Sequence, residues 1–222
     1  MAPTDTRLVL LRHGEVASHR GDVPVTERGL EHAVRCGKAL GATVDGSLRV
    51  LYGGTRRTRE TAEAIVRGLA EPDRAVGPDD SLALRNPDMW LAGTRVNMVS
   101  SAATLAEQVP GMSEQEAAAN PWWSHFFDAE DRIGWWLHQQ DPPGETAADL
   151  VARIQRFARS LADPGPLRGC TVIGVTHSPV LRSVLLDGGC SDPGELPYVT
   201  GADVRIGADG TTHVRNYDPL GS

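Results

Sequence analysis

The apolar run at residues 8–11 ends in Arg12-His13-Gly14-Glu15, an arginine and a histidine side by side at the mouth of a hydrophobic segment. The same kinds of group recur twice. Arg57 follows the apolar stretch Leu48–Tyr52 and the turn Gly53-Gly54, and His177 directly follows Thr171–Thr176. Arginine offers a planar fork of donors matched to phosphate oxygens and stays charged at any working pH. A neutral histidine has a nucleophilic nitrogen, and a protonated one is a short-range cation. Two arginines and two histidines around one cavity would hold a phosphoryl group and let one imidazole attack phosphorus. Taken singly, these residues read as a capping pair, a strand-end histidine and a helix-start turn. Their shared placement is what points to a site.

That placement comes from the elements around them. Residues 8–11 and Thr171–Thr176 are continuous apolar runs, the pattern of strands covered on both faces. Leu48–Tyr52 gives a further strand. Thr26 is suited to cap a helix carrying Leu30, Ala33, Val34 and Leu40 at helical spacing. Helices are also expected over residues 56–70, from Pro179 onward, and after Thr146 with Asp149, the last with Leu150, Ile154, Phe157 and Leu161 facing inward. Near the end, residues 203–214 predict a hairpin turning at Asp209-Gly210. Strand–helix alternation of this kind implies an α/β fold, a three-layer α/β/α sandwich with a mostly parallel central sheet. Ligands in such sheets sit at the carboxyl ends of the strands, where His13, Arg57 and His177 all fall.

Residues from about 80 to 143 interrupt the alternation and hold all five tryptophans. Trp122, Trp123, Phe126 and Phe127 form an i, i+1, i+4, i+5 stripe behind an Asn120-Pro121 helix start. Such a stripe docks a helical insertion onto a core, and as a lid its aromatics would also meet an apolar part of a substrate. The expectation is a single domain over residues 1–222 with this insertion over the site.

The composition sets further bounds. With 222 residues, 40% hydrophobic and 23% charged, the chain reads as an ordinary soluble globular protein. A net charge of −7 argues against a nucleic-acid or acidic-membrane partner. Three cysteines without CxxC spacing, Cys36, Cys170 and Cys190, favour a reducing compartment over a disulfide framework. MAPTDTR carries no apolar targeting run, so a cytoplasmic location is expected.

In combination and order, the motifs resemble the histidine phosphatase superfamily, also called the phosphoglycerate mutase-like family. Arg12-His13-Gly14-Glu15 matches its RHGE signature, and VTERGLEHA at residues 25–33 is similar to its LTxxGxxQA segment. RRTRETA at 56–62 is similar to the RAxxTA segment, which aligns Arg57 with the second phosphate-binding arginine. VIGVTHSPVLRSVL carries the second histidine, His177, and GET followed by Arg153 is similar to a GES…R stretch. The resemblance implies that His13 takes up the phosphoryl group as a phosphohistidine while Arg12, Arg57 and His177 hold its oxygens. It implies no cofactor and no metal, and the sequence has no HExxH, no CxxC and no complete GxxxxGK[ST].

The chain departs from the pattern at several places. Where the family carries a glutamate proton donor in an LRE-type segment, this chain has Leu84-Arg85-Asn86, and an amide cannot hand over a carboxyl proton. Asp88, on the same face as Asn86 in an extended segment, and Glu145 are the candidate replacements. Ser178 follows His177, where one variant of the family has aspartate. His19 replaces a common asparagine and is a candidate substrate contact, as is Asn86; Gly53 replaces a common serine. The leading expectation is a metal-independent phosphatase for a small-molecule phosphomonoester. A phosphoglycerate-mutase-type phosphotransferase and a phosphate-binding regulatory protein with weak turnover are the alternatives.

Overall fold

The computed structural model describes residues 6–18, 21–44, 46–69, 75–207 and 211–221. Its centre is a six-stranded sheet in the order β3-β2-β6-β1-β7-β8. The strands are β1 (Thr6–Arg12), β2 (Leu48–Tyr52), β3 (Ala75–Asp80), β6 (Thr171–Thr176), β7 (Gly201–Ile206) and β8 (Thr212–Tyr217). β3, β2, β6 and β1 run parallel, and β7 and β8 close one edge antiparallel. The turn expected at Asp209-Gly210 lies outside the described residues, although the two strands it would join do pair.

Alternation along β1 sorts its side chains into two cores. Val9 and Leu11 pack with α1 (Glu27–Thr43) and α2 (Arg56–Gly68) on one face. Leu8 and Leu10 pack on the other with α7 (Ala147–Ser160), α8 (Ser178–Asp187) and the insertion. Both faces are therefore covered, as the unbroken apolar runs require, and each buried Leu or Val stabilises by about 1.5–3 kcal/mol. In α7 the inward set is Leu150, Val151, Ile154 and Ala158, while Phe157 is only partly buried.

The helix starts follow the capping chemistry in the sequence. Thr26 accepts from Gly29 N at 3.0 Å, and Thr55 with Thr58 and Thr146 with Asp149 form reciprocal capping boxes. Each cap is worth about 1 kcal/mol. α8 begins one residue earlier than expected, at Ser178, with His177 in the cap position and Pro179 inside the first turn.

The insertion is less purely helical than expected. A 3-10 turn (Leu82–Leu84) leads into a two-stranded hairpin, β4 (Met89–Leu91) and β5 (Thr94–Val96). Four short helices follow: α3 (Ala102–Ala106), α4 (Glu114–Ala119), α5 (Pro121–Asp128) and α6 (Arg132–Leu137). Trp123, Phe126 and Trp136 are fully buried and share one core with Leu8 and Leu10. Trp122 stacks on Phe126 with centroids 5.5 Å apart, so the aromatic stripe is mainly packing.

Candidate active site

Arg12 is the last residue of β1 and His13 the first beyond it; β6 ends beside them at Thr176, whose carbonyl accepts from His13 N at 3.0 Å. His177 therefore emerges next to His13, with ring centroids 5.6 Å apart. Arg57 comes from the first turn of α2. Thr61 fixes it relative to His13: its hydroxyl accepts from Gly14 N at 2.8 Å and donates to the Arg57 carbonyl at 2.7 Å. The structure thus brings Arg12, His13, Arg57 and His177 to the walls of one cavity of about 560 Å³, together with Asn86.

The hydrogen bonds assign the imidazole tautomers. His13 Nδ1 lies 2.8 Å from the Gly14 carbonyl oxygen, which can only accept. Nδ1 therefore carries the proton and Nε2 the lone pair. Arg57 Nη2 stands 3.4 Å from His177 Nδ1, a contact in which Nδ1 accepts when the ring proton sits on Nε2. That Nε2 is buried without a hydrogen-bond partner. Burial, and next the nearby Arg57 charge, hold the His177 pKa well below the usual histidine range, so the ring is neutral at pH 7.

The two arginines are costly to bury. Desolvation lowers the pKa of both, and neighbouring carboxylates (Glu195 beside Arg12, Asp22 beside Arg57) only partly offset it. Two buried cations, a neutral imidazole with an unused N–H and a nucleophilic nitrogen together make a receptor for a compact dianion.

Gly53 shapes the floor of this site. A side chain there would run into the Leu84 backbone carbonyl, which also accepts from Thr176 Oγ1 at 2.6 Å. This close approach of the 3-10 turn to β2 and β6 delivers Asn86, 8% exposed, to the cavity wall. Its Oδ1 is buried without a partner.

The two proposed acids are placed elsewhere, and the sequence expectation is corrected. Neither Asp88 nor Glu145 lines the cavity. Asp88 is clasped by Arg85 and, across the hairpin, by Arg95, which hold its pKa down at about 2. Glu145 pairs with Arg153 at 3.0 Å and accepts from Asp88 N at 2.8 Å. Glu145 ties the insertion to α7, and Asp88 braces the insertion's own hairpin. His19 lies outside the described residues. Glu15 of the signature turns to the start of α1, where Thr26 Oγ1 donates to it at 3.4 Å.

Residues that pattern reasoning missed come from the loop before β7. Glu195 lines the cavity, forms an ion pair with Arg12 and accepts from Ser178 Oγ at 2.9 Å. Leu196 offers its carbonyl to Arg12, and the Tyr198 ring lies 4.3 Å beneath the guanidinium carbon. The insertion supplies the far wall, with apolar Met98, Val99, Phe126 and Ile133 beside Ser100, Glu130, Asp131 and Arg132.

Comparison with known proteins agrees with this arrangement. Residues 8–86 match the family model of the histidine phosphatase superfamily, branch 1. Among solved structures, a mycobacterial glucosyl-3-phosphoglycerate phosphatase in complex with inorganic phosphate is 17% identical, with 96% of each chain covered and a TM-score of 0.61. A phosphoglycerate mutase from Bacillus anthracis is also 17% identical, covering 98% of this chain and 95% of its own, with a TM-score of 0.61. No curated protein sequence matches the chain. No described helix is long and apolar enough to cross a membrane. The RHGE strand, the second arginine and the segment ending at Asn86 thus lie in the stretch that matches the branch 1 family model, and the chain shares the fold of these solved structures.

Proposed function

We propose that this protein is a metal-independent phosphatase that hydrolyses a small-molecule phosphomonoester through a phosphohistidine on His13. The observation that carries this reading is the convergence of His13, Arg12, Arg57 and His177 on one cavity, with His13 Nδ1 turned to the Gly14 carbonyl at 2.8 Å.

In this reading Arg12 and Arg57 take the phosphoryl oxygens in their forks, and His177 donates its unused Nε2–H to the third. His13 Nε2 attacks phosphorus as the ester oxygen leaves, and water then displaces the imidazole. Each preorganised donor is worth on the order of a hundred- to a thousand-fold in rate. The charge that a metal would neutralise is met by the two guanidinium groups. The apolar part of the far wall, Met98, Val99, Phe126 and Ile133, fits the body of a small ester better than a protein surface.

The test is phosphate release from a panel of phosphomonoesters with EDTA present, with His13→Ala beside the native chain. Release that survives EDTA and disappears in the variant supports the reading. Release abolished by EDTA, or undiminished in the variant, contradicts it. Isomer interconversion without net release would instead identify a mutase.

A further inference from the structure

The reaction leaves a proton unaccounted for. An ester oxygen departing from phosphorus needs one, and Asn86 has none to give. Asp88 and Glu145 are spent in ion pairs away from the cavity. Asp131 does line the cavity, but it caps α6 through Gly134 N at 2.9 Å and chelates Arg182 through both oxygens. Glu130 lines the same cavity from an exposed position. Glu195 alone among the lining carboxylates contacts the clamp itself, through Arg12, and also the residue following His177, through Ser178 Oγ. Its side chain is 55% exposed, so it can exchange protons with water.

Building on the phosphatase reading, we propose that Glu195 is the proton donor to the leaving group, a carboxyl supplied from the opposite end of the chain where Asn86 replaces the expected acid. In the resting site its carboxylate neutralises Arg12. An incoming phosphoryl dianion takes over the Arg12 fork and displaces it. The displaced side chain, open to solvent, takes up a proton from it before the transfer. His13 Nε2 forms the N–P bond while the P–O bond to the leaving group breaks, its electron pair going to that oxygen. The Glu195 carboxyl proton passes to the same oxygen. In the second half, water forms the new P–O bond as the N–P pair returns to Nε2. The Glu195 carboxylate takes the water proton and is restored as the acid. Ser178 Oγ is the tether that keeps the displaced side chain over the site.

The experiment measures kcat/KM for native, Glu195→Gln and Glu130→Gln chains on esters running from p-nitrophenyl phosphate, whose leaving group needs no proton, to alkyl phosphates, whose leaving group does. The expected result is a loss of about a hundredfold or more on alkyl esters for Glu195→Gln, shrinking to a few-fold on p-nitrophenyl phosphate. Glu130→Gln keeps the native dependence on the leaving group whatever it does to binding, and circular dichroism confirms that the variants fold. A change for Glu195→Gln that is uniform across the series, as a mere competitor for Arg12 would give, overturns the assignment. So does a steepened dependence in Glu130→Gln. If the native chain turns over none of the series, it is the phosphatase reading that falls. His13-dependent turnover with no leaving-group effect of Glu195→Gln removes only the assignment of the acid.

Discussion

Arg57 Nη2 stands 3.4 Å from His177 Nδ1, and complete burial, with the Arg57 charge beside it, keeps the imidazole neutral. The unfolded chain binds a proton on this histidine as pH falls through the usual range near 6.5, whereas the folded chain does not until far lower pH. The unfolded state therefore binds more protons in that window, and stability falls as the solution is acidified through it. Urea unfolding between pH 7.5 and 5.5 is expected to show this loss in the native chain and a flatter profile in His177→Asn. Identical slopes would mean that His177 is not held neutral by its surroundings.

Gly53→Ser, which restores the residue common in the family, is expected to destabilise this chain. The added side chain meets the Leu84 carbonyl, a backbone atom that cannot rotate away. Overpacking of this kind costs about 1–3 kcal/mol. A lowered urea midpoint with an unchanged slope is the expected readout, and native stability would show that the 3-10 turn yields.

Asp88→Asn should separate scaffold from chemistry. Replacing the carboxylate shared by Arg85 and Arg95 is expected to cost about 1 kcal/mol and to leave the leaving-group dependence of turnover unchanged. Its pKa, lowered to about 2, means that the stability it supplies is present above the ordinary aspartate range and is lost as pH falls toward 2. Acid unfolding monitored by tryptophan fluorescence should therefore begin at higher pH in the native chain than the ion pair's own titration, while Asp88→Asn lacks that component. A selective loss on alkyl esters would instead return Asp88 to the chemistry.

The contrast between Asp88 and His177 explains what the sequence made legible. His13, Arg57 and His177 each follow an apolar run, and parallel strands carry such positions to one sheet edge whatever the loops do. Asn86 was legible only through its match to the family's LRE-type segment, and it is the turn packing against Gly53 that brings it to the cavity. The acids were not. Asp88 and Asn86 do share an extended segment, but Arg95 reaches Asp88 across a hairpin that no periodicity announced. Glu145 looked available until Arg153, two turns along α7, closed on it. Glu195 lies in an aperiodic loop. The usable signal was β7, which runs antiparallel to β1 and so must start at the end where β1 stops, carrying its preceding loop over Arg12.

Arg182→Met tests how the insertion is held over the site. Arg182 is 1% exposed on α8 and bonds Asp131 of the insertion and Asp192 of the loop beyond α8, each through two hydrogen bonds. Removing it leaves two carboxylates without their cation and is expected to cost about 2–3 kcal/mol. Because Asp131 also lines the cavity, KM should rise more than kcat falls. Native stability in thermal melts would show that α6 is anchored by its apolar contacts alone.

The most direct test of the central claim is to trap the covalent intermediate. Native enzyme mixed with a turned-over ester labelled in its phosphoryl group is quenched in alkali, digested and mapped by mass spectrometry. A base-stable, acid-labile phosphoryl group is expected on the peptide containing His13, formed within one turnover and absent from His13→Ala. Label on another residue, or turnover through a single displacement with no labelled peptide, would contradict it.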